Sequence, residues 1–273
     1  MPSVEEHLAF FYGARPKEGQ AGHDTFADFD IGVFTASGIR RFWRPQARFF
    51  LDDAEPFLPL PADQAAPLFE WGLNWCMASR PLGYLAVHAA VVARGDRALL
   101  LPGFPGAGKS TLCSSLVFLG GWRLLSDELA LLDPASGLIH PHPRPINLKN
   151  RSIDLVAAFP GAALGPRYLD TRKGTIALAT PPAESVKAAE DPARCLWVVF
   201  PTFVSDGESW CEEVSRAESF ALIAEQSFNK DRMGEVGFKA LCAMLEGARC
   251  FQIGYRSTEE ALGLVDQICR ESP

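Results

Sequence analysis

The chain has 273 residues, 48% hydrophobic and 22% charged, a balance that suits one large globular domain or two small ones. Its formal net charge of −7 argues against a general nucleic-acid binder. No apolar run approaches the roughly 18–20 residues of a membrane span. The acidic N-terminus MPSVEEHLAFFYG lacks the basic and then apolar plan of a signal peptide. Seven scattered cysteines, none in a C-x-x-C pair, read as reduced, mostly buried thiols. The expectation is a cytoplasmic protein that engages neither nucleic acid nor membrane, with homo-oligomerisation left open.

Residues 1–60 hold short strand-like pieces, Thr25–Phe34 and Arg48–Leu51, before the proline-rich Pro56–Pro61 interrupts regular structure. Arg40, Arg41, Arg44 and Arg48 interleave with aromatic residues and read as a snorkelling strand face. Pro67–Arg80 carries Leu68, Trp71, Trp75 and Met77 at helical spacing. Tyr84–Ala93 predicts one strand and Ala98–Leu101 the next, with Arg94-Gly95-Asp96-Arg97 as the turn of a hairpin. A helix follows at Thr111–Leu119, then short strands at Arg123–Ser126 and Leu129–Leu132. Beyond these, Gly174–Ala179, Cys195–Phe200 and Cys250–Tyr255 read as strands, and Ser215–Phe228 and Met233–Leu245 as helices. Ser257-Thr258-Glu259-Glu260 has the spacing of a capping box that opens a last helix to about Arg270. The division expected is an N-terminal α+β region, 1–80, and an α/β core, 81–273.

The chemistry centres on Gly103-Phe104-Pro105-Gly106-Ala107-Gly108-Lys109-Ser110-Thr111, which fits the phosphate-binding pattern G-x-x-x-x-G-K-[ST]. The predicted strand before it and helix after it supply the needed context. Glycines let backbone N–H groups curl around phosphate, and the helix N-terminus adds partial positive charge. Lys109 would reach the β and γ phosphates of ATP, and the Ser110 hydroxyl would ligate Mg²⁺. Asp127-Glu128, at the end of the next strand, can serve the metal or accept a proton from an attacking hydroxyl. Asp127 is taken as the base and His88 as its support, with the share of Glu128 left open. Arg144, Lys149, Arg172 and Lys173 are loop cations able to stabilise transferring charge, and Arg172 is the best placed of them. Phe228-Asn229-Lys230 is read as lining the substrate side.

The stretch from Val87 to Asp133, with a histidine on a strand, a hairpin, the loop, a helix and an acid pair, resembles the core of bacterial HPr kinase/phosphorylase. Further segments, EWGLNWC, RPINLKN, DTRKGT and SFN, are similar to those of the HPr-kinase-related kinase A group. The resemblance implies an α/β fold with a mixed sheet, of the type shared with phosphoenolpyruvate carboxykinase. It also implies ATP- and Mg²⁺-dependent phosphorylation of a hydroxyl, with His88, Lys109, Ser110 and Asp127 in catalytic or metal-binding roles. The acid pair here is Asp127-Glu128 rather than two aspartates, and Lys149 stands where the family has a metal-binding glutamate. The acceptor implied is a serine or threonine of a protein or peptide. The alternatives are a small-molecule hydroxyl kinase and a non-catalytic nucleotide-binding regulator.

Overall fold

The computed structural model describes residues 1–13, 27–80, 82–103 and 106–270. It begins with helix α1 (Pro2–Tyr12), strands β1 (Ile31–Thr35), β2 (Gln46–Leu51) and β3 (Leu60–Pro61), and helix α2 (Ala65–Ser79). Next come β4 (Leu85–Val87), β5 (Ala89–Arg94), β6 (Arg97–Pro102), α3 (Lys109–Phe118) and β7 (Arg123–Ser126). They are followed by β8 (Ala130–Leu132), β9 (Leu138–His140), β10 (Ile146–Lys149) and α4 (Arg151–Ala157). The remainder is β11 (Tyr168–Thr171), β12 (Gly174–Ala179), α5 (Ala183–Lys187), β13 (Ala193–Phe203) and β14 (Trp210–Glu213), then α6 (Arg216–Glu225), α7 (Lys230–Glu246), β15 (Arg249–Tyr255) and α8 (Thr258–Arg270).

These elements gather into two units. The first holds Met1–Arg80 together with Gly165–Ala177, and the second holds Pro81–Leu164 and Leu178–Pro273. The hairpin β11–β12, read from sequence as part of the core, groups with the N-terminal residues as far as Ala177, and Arg172 goes with it.

In the first unit, β1, β2 and β3 form an antiparallel sheet in that order. Alternation along β2 turns Ala47, Phe49 and Leu51 inward against Val33, Leu68 and Cys76. Helix α1, which no sequence pattern announced, docks by a polar contact. His7 Nε2 lies 2.7 Å from Glu70 Oε1, and the Tyr12 hydroxyl donates to the same carboxylate at 2.8 Å. A buried carboxylate with two partners avoids the penalty of an unpaired charge.

The second unit is built on a mixed nine-stranded sheet. Its centre follows from composition. Leu99, Leu100 and Leu101 are at most 1% exposed, as befits a continuous apolar run in a strand covered on both faces. Each contributes roughly 1.5–3 kcal/mol of burial. The predicted hairpin is present, with β5 and β6 antiparallel and Arg94 opposite Arg97. Gly95 at φ 61 supplies the positive φ that a two-residue turn needs at its first central position.

Strand β7 pairs antiparallel with β5 on the side away from β6. Both β6 and β7 thus oppose β5 and run in the same direction, with α3 as the crossover. Their C-terminal ends, Pro102 and Ser126, lie at one edge of the sheet. Strand β13 is parallel to β6, and β15 is parallel to β13, so Tyr255 ends at that edge too. In open α/β sheets this is the edge where ligands bind.

One strand expected from sequence is two. Tyr84–Ala93 breaks at His88: β4 pairs with β8, whereas β5 pairs with β6 and β7. At the break the His88 N–H donates to the Gln226 carbonyl at 2.8 Å, and Val87 bridges to Ser227. The apolar run is continuous because both pieces are buried, so hydropathy alone gives no sign of the kink. The capping box at Ser257 is half as expected. Ser257 Oγ accepts from the Glu260 N–H at 3.2 Å, but the Glu260 carboxylate takes the Arg256 N–H at 2.9 Å.

Candidate functional site

The described residues of the loop between β6 and α3 include three glycines at positive φ. Gly103, Gly106 and Gly108 have φ of 148, 93 and 90, which a residue with a Cβ adopts only under strain. Gly108 is also closely approached: a Cβ there would stand 2.5 Å from the Tyr255 hydroxyl. Helix α3 starts at Lys109 with no side-chain cap, so its first N–H groups have no intrahelical partner. They are the donors that an oxyanion at a helix N-terminus uses. Phe104 and Pro105, expected to line the nucleotide, lie outside the described residues.

Lys109 is buried, and its ammonium donates to the Gly103 carbonyl. Burial pulls its pKa down, while the nearby charges of Asp127 and Glu128 oppose that shift. Asp127 follows the last residue of β7 and is 5% exposed. Its Oδ2 accepts from the Ser110 hydroxyl at 3.2 Å and from the Asn147 N–H at 2.9 Å. Its Oδ1 is buried and meets no hydrogen-bond donor among the described residues. An unmet buried acceptor costs roughly 1–3 kcal/mol. Desolvation, reinforced by the Glu128 charge, raises the Asp127 pKa to about 7, although the Asn147 N–H and the Ser110 hydroxyl pull the other way.

Asn147 is the residue that sequence reasoning missed. It is 5% exposed on β10, and its Nδ2 donates to Glu128 Oε1 at 3.2 Å. One residue thus holds both acids, Asp127 through its backbone and Glu128 through its amide. Its own Oδ1 is buried without a donor among the described residues. Only one amide orientation serves, because the reversed one would aim an oxygen at the carboxylate. The segment RPINLKN contains this strand, and the residue in it that stands out by charge is Lys149. Residues two apart share a strand face, and Lys149 indeed sits close enough to lower the pKa of both Lys109 and Asp127. It brings a cation to the place where a metal ligand was sought.

The oxygen set suits a hard divalent cation. Ser110 Oγ and Asp127 Oδ2 are neighbours, and the unsatisfied Oδ1 and the Asn147 amide oxygen are further acceptors of the type Mg²⁺ prefers. No group of three or more His, Cys, Asp or Glu side chains with metal-ligand placement occurs among the described residues. A few protein oxygens completed by water and phosphate are typical of Mg²⁺ sites.

His88 stands at the same sheet edge, since Ala89 pairs with Pro102. Its ring centroid lies 5.8 Å from that of Phe228. Asn229, expected on the substrate side, is spent elsewhere: its Oδ1 accepts from the Ala86 N–H and its Nδ2 donates to the Tyr84 carbonyl. It clamps β4. Arg172 lies on the exposed turn of β11–β12 in the first unit. No hydrogen bond or ion pair engages it among the described residues, and the grouping around Asp127 forms without it. Cys113, buried in α3, has its thiol pKa pushed well up by burial and by Asp127, which disfavours the reactive thiolate. No helix among the described residues is long and apolar enough to cross a membrane.

No family model and no curated protein matches this chain. Among solved structures, 25 chains match. One is the Hpr(Ser) kinase/phosphatase from Coxiella burnetii, 13% identical, with a TM-score of 0.29 over 68% of this chain and 99% of that one. A likeness of that strength carries no argument, and the reading of the site rests on its geometry.

Proposed function

We propose that the chain is an ATP-dependent phosphotransferase that moves the γ-phosphate to a serine or threonine hydroxyl of a protein or peptide. The observation that carries this reading is the buried Asp127 carboxylate, hydrogen-bonded to the loop serine Ser110 and left with one unmet oxygen. A passive nucleotide switch needs no proton acceptor at that place. A phosphotransferase does.

The loop N–H groups and Lys109 would hold the β and γ phosphates. Mg²⁺, held by Ser110 and Asp127, would offset phosphate charge as it shifts toward the leaving oxygen. Asp127 receives the proton of the acceptor hydroxyl as its oxygen bonds to the γ-phosphorus. The bond from that phosphorus to the β–γ bridging oxygen breaks, and ADP departs with the electron pair. Lys149 adds charge on the phosphate side. Asn147 keeps both acids in register, and His88 supports Asp127 from the sheet edge. In the metal-free protein, burial makes Asp127 a stronger proton acceptor than an exposed carboxylate, which suits a base.

Cell extract incubated with the protein and γ-labelled ATP tests this. The reading expects label in acid-stable serine or threonine esters, absent with Lys109→Ala. Release of free phosphate with no labelled acceptor would overturn it in favour of an ATPase or regulator. Label confined to a small molecule would replace the acceptor class.

A further inference from the structure

The first unit carries a second feature that the phosphotransfer reading does not use. Strand β1 has a hydrogen-bonded strand neighbour on one side only among the described residues, because the sheet order is β1-β2-β3. An open edge presents a row of unpaired N–H and C=O groups to any extended chain. Beside it the link to β2 folds into a short 3₁₀ turn, Gly38–Arg41. Edge and turn enclose a hollow of about 710 Å³ lined by Phe34, Thr35, Ala36, Ile39, Arg41 and Phe42. The apolar walls are exposed: Phe34 is 59% accessible, Ile39 71% and Phe42 81%.

The chain that forms this hollow is basic. Residues 31–51 contain four arginines and no acid, in a chain of net charge −7. Arg48 is paired with Glu55 and lies over Phe50, the snorkelling arrangement expected. Arg40, Arg41 and Arg44 do not follow it. They lie on the turn, not on a strand. Arg40 and Arg44 flank the Trp43 ring at 5.4 and 5.0 Å, and Arg41 lies over Phe42 at 5.7 Å. None of the three meets a carboxylate among the described residues. A guanidinium with no carboxylate partner can take one in a bidentate pair.

We propose that the outer edge of β1 and the hollow beside it dock an extended acidic segment of a partner protein, which adds as a further strand. Main-chain hydrogen bonds to β1 would supply the alignment, and alternate side chains the selectivity. One apolar side chain enters between Phe34, Ile39 and Phe42, and neighbouring carboxylates meet Arg41 and Arg44. A second copy of this chain fits less well, since its own edge strand, Ile31–Thr35, carries no acid to meet the arginines. A bilayer fits less well too, since lipid leaves the N–H and C=O groups of an open edge unsatisfied.

The full chain is titrated into a fluorescein-labelled octapeptide alternating Glu and Leu, read by anisotropy. Three companions are an octapeptide alternating Lys and Leu, the Glu–Leu peptide with N-methylated backbone, and phosphatidylglycerol vesicles. Saturable binding of the Glu–Leu peptide is expected, weakened by salt. The Lys–Leu and N-methylated peptides should bind at least about ten-fold more weakly. Arg41→Glu with Arg44→Glu, and separately Phe42→Ser, should each weaken binding by about ten-fold or more. These are exposed positions, so the fold survives, and an unchanged melting temperature checks it. No binding at about millimolar peptide, equal binding of the Lys–Leu or N-methylated peptide, or indifference to the three substitutions would overturn the proposal. Arginine-dependent capture by the vesicles without peptide binding, or a dimer abolished by the arginine pair, would overturn it in favour of a lipid surface or self-association.

Discussion

The Ser110 hydroxyl donates to Asp127 Oδ2 across 3.2 Å, joining the first turn of α3 to the residue that follows β7. The contact arises because β6 and β7 run parallel on either side of β5 and so end at the same sheet edge. A phosphate loop leaving one strand and an acid leaving the other are brought together by topology alone. The hydroxyl and the carboxylate are therefore positioned by buried strands of the sheet.

Lys109→Ala should leave the fold intact and abolish label transfer. The ammonium is buried and its pKa is depressed by desolvation, so its loss costs little stability. The measurement pairs a thermal melt with an ATP titration. Full transfer by a correctly folded variant would contradict the assignment.

Gly108→Ala should lower nucleotide affinity by about ten-fold or more, as expected when a strained left-handed backbone must relax by 1–3 kcal/mol. The φ of 90 and the Tyr255 hydroxyl 2.5 Å from the added Cβ both oppose the methyl. Tyr255→Phe removes only the second obstacle, so the double variant should recover part of the affinity. Complete recovery would mean that backbone strain plays no part.

Asn147→Ala removes one donor from the Glu128 carboxylate but leaves the backbone N–H on Asp127. Turnover should fall about ten-fold while ATP affinity changes little, an effect on position and not on binding. Asn147→Asp places a third carboxylate beside the pair and should move the rising limb of the pH–rate profile upward. A profile unmoved by Asn147→Asp would remove Asn147 from the account.

The apoprotein in chelator should show a stability slope set by Asp127. Its folded pKa, about 7, lies above the ordinary value near 4. The folded state therefore binds a proton that the unfolded state has released between those limits. Stability contributed by the protonated acid is present below about pH 4 and is lost as pH rises toward 7. Asp127→Asn should flatten that part of the profile, leaving the variant the more stable of the two at neutral pH by a few kcal/mol. Parallel urea melts from pH 4 to 8 would reveal the difference, and identical slopes would contradict the buried, desolvated carboxylate.

The loop, the hairpin and the acid pair were legible because each has a local signature. Glycine spacing, a Gly-Asp turn and an apolar run need no knowledge of distant residues. The kink at His88 was not legible, because β4 and β5 are equally apolar and differ only in which strands they meet. Asn147 was hidden for a related reason. A neutral amide in an apolar strand announces nothing until Asp127 and Glu128, about 20 residues away, are seen to lie against it. Arg172 was ambiguous for another reason. A basic residue next to glycine in a hairpin suits a phosphate clamp and an exposed turn equally, and contacts group it with the first unit. The arginine–aromatic run of residues 40–50 alternates enough to pass for one strand. Only its second half is one, because the 3₁₀ turn takes the first.

The most direct test is the rate of label transfer by Asp127→Asn, set against the affinity of the same variant for ATP. Asparagine keeps the shape and removes the basicity. The account predicts transfer reduced by about 10²–10⁴-fold, as for loss of a general base, with ATP affinity within a few fold of the parent protein. Transfer at the parent rate, or its loss in Glu128→Gln while Asp127→Asn stays active, would contradict it.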